Sequence, residues 1–313
     1  MPAAGARAVR SARRQLARQD FDRTAWQQLR ARLKGTATQA SRPAADPNAH
    51  LAAGDRALAR EDYDQAVRCM YRAVDVDPTR TNSLRALAVA LVAAKRFDES
   101  VPVYESILGA APDDRTARYN LALAAARIRD FRRAEIEFRK LLEARDDSVR
   151  AAHNLATIYQ AQGKLHQAAE AWRTVIRLAP KMAPAHASLG EVLLDLGKPE
   201  QAMVSYALAA TLQPSEVAGW LNLSAAARSA GSYGRAAVAL QRAAKLAPED
   251  AEVWQRLGDV MLELHRSTER RMFLGSAVEA WSRSLRIDPD QKELAGKVKF
   301  YSAIQASQPA ERR

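Results

Sequence analysis

Proline recurs along this chain at a fixed interval. Pro78, Pro112, Pro180, Pro214 and Pro248 fall on one 34-residue grid, with Asp146 at the single missing step. Pro289 follows Pro248 after 41 residues, so the last unit holds seven extra. Other residue types keep the same register. Twelve residues before each marker stand Ala66, Ser100, Ala134, Ala168, Ala202, Ala236 and Ala277. Eight before stand Met70, Tyr104, Phe138, Trp172, Tyr206, Leu240 and Trp281. Earlier in the units a leucine precedes a small residue: Leu87-Ala88, Leu121-Ala122, Leu155-Ala156, Leu189-Gly190, Leu223-Ser224 and Leu257-Gly258, with Ala53-Gly54 in the first unit. A shared period of this length specifies a stack of like units in which no single unit can bury its apolar faces alone.

Each unit holds two stretches of about 14 residues with apolar residues three and four apart, the spacing of an amphipathic helix. Short turns separate them, several with glycine: Gln162-Gly163-Lys164, Leu196-Gly197-Lys198 and Ala230-Gly231-Ser232. Glycine suits the left-handed residue that ends a helix. Proline then stops the second helix, because it lacks an N–H and clashes with the preceding turn. Small residues such as Gly54, Gly190, Ala66 and Ala202 let paired helices approach, and a bulky neighbour such as Trp172 or Tyr206 fills the adjoining groove. The alanine-rich composition supports helices, and the Val/Ile runs followed by glycine turns of a parallel-sheet enzyme are missing.

These residues resemble the tetratricopeptide repeat family, best in His153-Asn154-Leu155-Ala156, Tyr159, Ala168, Trp172 and Pro180, and again in His186, Leu189-Gly190, Leu193, Ala202, Tyr206, Ala209 and Pro214. The match covers about residues 47–291, read as seven repeats: 47–80, 81–114, 115–148, 149–182, 183–216, 217–250 and 251–291. The resemblance implies an all-α, right-handed superhelical solenoid of antiparallel helix pairs. Three departures stand out. Ser100 replaces a packing alanine. Asp146 replaces a proline, which makes 144–148 a softer joint. Residues 266–272 (RSTERRM) are inserted and should lengthen a turn, presenting Arg266, Arg270 and Arg271 on one rim.

The flanks differ in character. Residues 1–46 hold ten Arg/Lys against three Asp, a net of +7 out of +12 for the whole chain. Phe21, Trp26, Leu29 and Leu33 have helical spacing, so residues 1–34 read as a basic helical arm, and 35–46 as a linker of small, turn-forming residues. Residues 292–313 read as a capping helix and tail, with Leu294, Val298, Tyr301 and Ile304 on one face. No stretch approaches the ~18 apolar residues of a membrane span. The N-terminus lacks the apolar core of a secretory signal, so a cytoplasmic location is expected, although an Arg-rich, acid-poor start also describes an organellar transit peptide.

The resemblance further implies that the first helices line a concave groove. The residues projected onto it are Arg85, Tyr119, Leu123, Arg127, His153, Thr157, Gln160, Glu191, Asp195, Leu221 and Arg228. Deeper in the same helices lie Asn120, Asn154 and Asn222, with Ser188 interrupting the series. An asparagine amide both donates and accepts, so a row of them can hold a peptide backbone. This looks like the asparagine ladder of protein O-GlcNAc transferases; the competing reading is that each asparagine bridges neighbouring helices. The family's clamp for chaperone C-terminal carboxylates is incomplete here, because Val89 takes the place of its first asparagine. Charge is mixed along the groove: Arg85, Arg127 and Arg150 come early, and Glu191, Asp195, Glu252, Asp259 and Glu263 later, which suits a partner of the opposite polarity.

Catalytic motifs are missing. His50, His153, His166, His186 and His265 lack metal-site spacing, Cys69 is the one cysteine, and no phosphate-cradling glycine loop or nucleophile elbow occurs. The sequence therefore predicts a non-catalytic scaffold or adaptor without cofactor, whose partners are other proteins contributing an extended or helical segment. The alternatives are nucleic-acid association through the basic arm, and a regulatory or targeting subunit of an enzyme such as a glycosyltransferase.

Overall fold

The computed structural model describes residues 46–144 and 148–307; the basic arm, the linker up to residue 45, the core of the joint at 144–148 and the tail after residue 307 lie outside them. The described residues form fifteen α-helices and no strand. In chain order they are α1 (Pro47–Ala59), α2 (Tyr63–Val76), α3 (Thr81–Ala93), α4 (Phe97–Ala110), α5 (Arg115–Arg127), α6 (Phe131–Glu143), α7 (Ser148–Ala161), α8 (Leu165–Leu178), α9 (Ala183–Asp195), α10 (Pro199–Leu212), α11 (Val217–Ser229), α12 (Tyr233–Leu246), α13 (Ala251–Thr268), α14 (Arg271–Ile287) and α15 (Lys292–Ser307). The chain is all-α, built of successive helical hairpins with α15 packed on α14. It divides into two compact units, the first ending at Glu137 and the second beginning at Phe138, within α6.

The small–large pairing is what brings each hairpin together. A Cβ on Gly54 would stand 2.5 Å from Met70 Cε, and one on Gly190 2.8 Å from Tyr206 Cε2. A Cβ on Gly258 would overlap the Trp281 indole. The packing alanines Ala66, Ala134, Ala168, Ala202, Ala236 and Ala277 are all fully buried. Ser100 takes their place in α4 without an unpaired group, because its hydroxyl donates to the Phe97 carbonyl at 2.8 Å. In the first unit one continuous core links Val67, Met70, Leu87, Leu91, Tyr104, Ile107 and Leu121.

Every hairpin turn uses a left-handed residue. Gly163, Gly197 and Gly231 have φ near +70°, Glu61, Lys95 and Arg129 occupy the same place just past the C-cap at φ of 59–64°, and Glu269 takes the conformation at the C-cap itself with φ 58°. In the first six hairpins the turn closes a Schellman motif, in which the N–H two residues past the C-cap reaches back to an orphan carbonyl, whereas in the seventh the Glu269 N–H bonds the His265 carbonyl at 2.7 Å. Examples are Arg96 N–H to Leu91 O at 2.8 Å and Lys198 N–H to Leu193 O at 2.8 Å. Glycine adopts this conformation freely; the other four residues do so against a Cβ clash.

The inserted residues do not lengthen the turn. They extend both helices: α13 has 18 residues and α14 has 17, against 13 and 14 in the hairpin before them, and only Glu269 and Arg270 lie between. Seven residues are close to two helical turns, so the added length divides between the two antiparallel helices without rotating their buried faces. Of the expected arginine rim, Arg266 and Arg270 are exposed, and Arg266 and Arg271 also reach α15. Arg266 donates to the Tyr301 hydroxyl at 3.2 Å, and Arg271 to the Gln305 carbonyl at 3.2 Å. Tyr301 also lies against Trp281, with ring centroids 5.6 Å apart. Leu294 is buried, and Val298, Tyr301 and Ile304 are half-buried on the same helix.

Aspartates cap several helices. Asp114 accepts from the Ala117 N–H at 2.9 Å and from Arg85 at 2.7 Å. Burial would raise the Asp114 carboxyl, but the Ala117 N–H and the Arg85 guanidinium outweigh it and hold the group below the usual carboxylate range. Because the folded pKa is depressed, this contribution is complete above about pH 4 and is lost as pH falls through the folded value. Asp114→Asn keeps a cap acceptor but cannot titrate. It is expected to flatten the loss of first-unit stability as pH falls below about 4, read by urea denaturation at a series of pH values. A pH profile identical to the parent's would show that Asp114 is not coupled to folding.

Candidate functional site

The first helices of the hairpins carry the groove residues projected from the sequence. In the first unit Arg85 is exposed but already paired with Asp114 at 2.7 Å. Tyr119 is only 9% exposed, which places its ring at the margin of the core. Arg127 is exposed at the end of α5. Asn120 is half-buried and hydrogen-bonded to the Tyr104 hydroxyl; burial pushes that hydroxyl up to about 12 against the opposing pull of the amide. Asn120 thus bridges α4 and α5, the second of the two readings of the asparagine row.

In the second unit the projected residues form a connected polar strip. His153 packs edge-on against Trp172 with centroids 5.0 Å apart. The Trp172 indole N–H donates to Gln160 Oε1 at 3.3 Å, and Gln160 Nε2 donates to Glu191 at 2.9 Å. The strip therefore runs from α8 through α7 to α9. Glu191 and Asp195 are one helical turn apart on α9 and both exposed. Burial, followed by their two negative charges, pushes the Tyr206 hydroxyl up to about 12. Asn154 is half-buried on α7, and Asn222 and Arg228 are exposed on α11.

The wider acidic stretch expected from the sequence contracts to this pair. Glu252 is bound by Arg256, and Glu263 by Arg266 at 3.0 Å. Asp259 accepts from the Trp281 indole at 3.2 Å and lies 3.4 Å from Lys297 Nζ.

Two features were not foreseen. The carbonyl of each of four unit-end prolines accepts from the residue six positions later: Arg118 on Pro112, Trp220 on Pro214 at 3.0 Å and Trp254 on Pro248 at 2.9 Å, with His186 Nε2 standing 2.9 Å from the Pro180 carbonyl. The shared register of these four unlike residues was the available signal. The second feature is an apolar cleft of about 520 Å³ between α10 and α12, floored by Trp220 and Leu223 of α11. Val204, Leu208 and Val238 line it and are 57%, 48% and 58% exposed. The signal here was α10 itself, apolar on sides that its partner helix does not cover.

Among the described residues no group of His, Cys, Asp or Glu is placed to hold a metal ion, and no helix is long and apolar enough to cross a membrane. Cys69 is buried with a free thiol.

Comparison with known proteins agrees with this architecture. A tetratricopeptide repeat family model matches residues 51–115, 85–149 and 153–217, more than half of the chain, and a second model of the same description matches 217–260. No curated protein matches. The C-terminal part of a TPR repeat-containing protein from Cytophaga hutchinsonii superposes with a TM-score of 0.62 at 14% identity, covering 79% of this chain and 98% of the other. A tetratricopeptide repeat protein from Parabacteroides merdae gives 0.51 at 12% identity, covering 82% and 98%. At these identities the likeness concerns the fold. With hairpins, small–large pairs and family models in agreement, the chain belongs to the tetratricopeptide repeat family.

Proposed function

We propose that this protein is a non-catalytic interaction scaffold that binds a polypeptide segment along the first helices of its hairpins. One observation carries the reading: the polar strip of the second unit, in which Trp172, Gln160 and Glu191 are joined by hydrogen bonds beside the exposed Asp195. Such a strip offers fixed donors and acceptors to a passing backbone, and the Glu191–Asp195 pair offers a seat for a basic side chain. A lysine or arginine there would meet two carboxylates that neither Arg228 nor any other described cation neutralises through an ion pair. The exposed Asn222 on α11 extends the first helices' capacity to bond a peptide main chain.

A photo-crosslinking side chain placed at Asp195 or Asn222 of the full chain, with Lys181 in an exposed turn as control, tests this in lysate with and without nuclease. The expected result is nuclease-resistant crosslinks to protein from Asp195 and Asn222, few from Lys181, and their weakening by Glu191→Lys. Crosslinks equal at all three sites would remove the groove. Crosslinks lost with nuclease, together with a steep salt dependence, would favour the nucleic-acid alternative.

A further inference from the structure

The cleft is walled by the second helices α10 and α12 and floored by α11, and its apolar lining differs from the polar strip on α7 and α9. Val204 and Leu208 stand one turn apart on α10, and Val238 faces the cleft from α12. Their high exposure means that nothing in the described chain covers them. Trp220 beneath them donates its indole N–H to the Pro214 carbonyl at 3.0 Å, which orients the ring. An open apolar trough with side chains at helical spacing matches the way an amphipathic helix lies in a groove.

Charge selects the kind of helix. The sequence of α12, YGRAAVALQRAAKL, carries Arg235, Arg242 and Lys245 and no acid. Arg235 lines the cleft, with the Met203 sulfur at 3.8 Å as its hydrogen-bond partner, and helical spacing puts Arg242 on the same face two turns further on. Arg242 and Lys245 are exposed. The one acid of α10 is Glu200, in its first turn. We propose that this cleft is a second docking surface, for an amphipathic helical segment of a partner protein whose apolar stripe is flanked by acidic residues. The cations of α12 then lie beside the partner's carboxylates, while Val204, Leu208 and Val238 receive its apolar side chains. A basic segment, such as residues 1–34 of another copy of this chain, would meet like charge along α12 and is disfavoured.

The test uses the full chain and two labelled synthetic helical peptides, followed by fluorescence anisotropy. Both carry leucines three and four residues apart; one has glutamates on its flanks, the other lysines at the same places. The acidic peptide is expected to bind about tenfold or more tightly than the basic one, a gap that narrows with added salt. Val204→Asp combined with Val238→Asp should lower that affinity by about tenfold or more, and because both side chains are already exposed, circular dichroism should show an unchanged fold. Arg235→Glu with Arg242→Glu should reverse the preference. Asp195→Ala and Asn222→Ala should leave it unaltered, which separates this surface from the polar strip. Equal affinity for the two peptides, tighter binding of the basic peptide, no binding at all, or binding indifferent to the Val204/Val238 substitutions would overturn the proposal. So would concentration-dependent self-association abolished by Val238→Asp, which would make a second copy the occupant.

Discussion

Trp281→Ala is expected to destabilise the last hairpin and α15 by about 3–5 kcal/mol, the range for emptying a buried aromatic site. Trp281 is fully buried, its indole fills the space that the missing Cβ of Gly258 leaves, its N–H donates to Asp259, and Tyr301 of α15 packs on it. Removing the ring therefore opens a cavity, takes one of the two donors from Asp259 and loosens the terminal helix together. Gly258→Ala alone should cost about 1–3 kcal/mol by overpacking against the same ring. The double variant should cost less than the sum, because the added methyl then occupies vacated space; a coupling of about 0.5–3 kcal/mol is the scale for residues in contact. Amide hydrogen exchange across α13–α15 reads these effects locally, which suits a stack whose ends open before its middle. Additive costs within about 0.3 kcal/mol would mean that the two residues do not share the site the structure gives them.

The second large effect is a gain. Replacing Glu61, Lys95 and Arg129 together by glycine is expected to stabilise the first unit by roughly 2–3 kcal/mol. A side-chain-bearing residue in the left-handed region costs about 1–2 kcal/mol. Glycine removes that cost but gives back about 0.5–1 kcal/mol in chain entropy. Each turn thus gains somewhat less than 1 kcal/mol, and the three sites, 34 residues apart with no shared hydrogen bond, should add. The matching turns of the second unit already hold Gly163, Gly197 and Gly231, so Gly197→Lys should lose about what Lys95→Gly gains. Urea midpoints of the single, triple and reverse variants decide it; a triple variant no more stable than its parent would mean that these turns are not strained.

Particular residues show how far the sequence could be read. The proline grid, the packing alanines and the Gly190–Tyr206 type of pair lead directly to hairpins, because size complementarity is encoded in residue identity. The left-handed turns at Glu61, Lys95 and Arg129 escape notice because nothing in those residue types advertises the conformation; only the period does. The insertion at 266–272 reads as a turn because charged residues suggest surface, yet Ser267 and Arg266 continue α13 outward, since a polar helix end is as soluble as a loop. Of the candidate site, Gln160 and Glu191 are joined as neighbours across helices. Arg85, Glu252 and Glu263 are instead occupied by partners within the chain, since side-chain pairing depends on rotamers that spacing alone does not specify. The α10–α12 cleft was signalled only by the apolar outer side of α10, and the sequence of that helix alone does not say whether a neighbour covers it.

The bonds made to the unit-end prolines give the stack a direction. In each case the acceptor belongs to the earlier hairpin and the donor to the later one: Pro112 and Arg118, Pro180 and His186, Pro214 and Trp220, Pro248 and Trp254. A hairpin peeling away from the C-terminal side therefore strips the finishing bond from the helix it leaves behind, whereas one lost from the N-terminal side leaves only a side chain to find water. Unravelling is thus asymmetric, and each module that emerges during synthesis completes its predecessor rather than waiting for its successor.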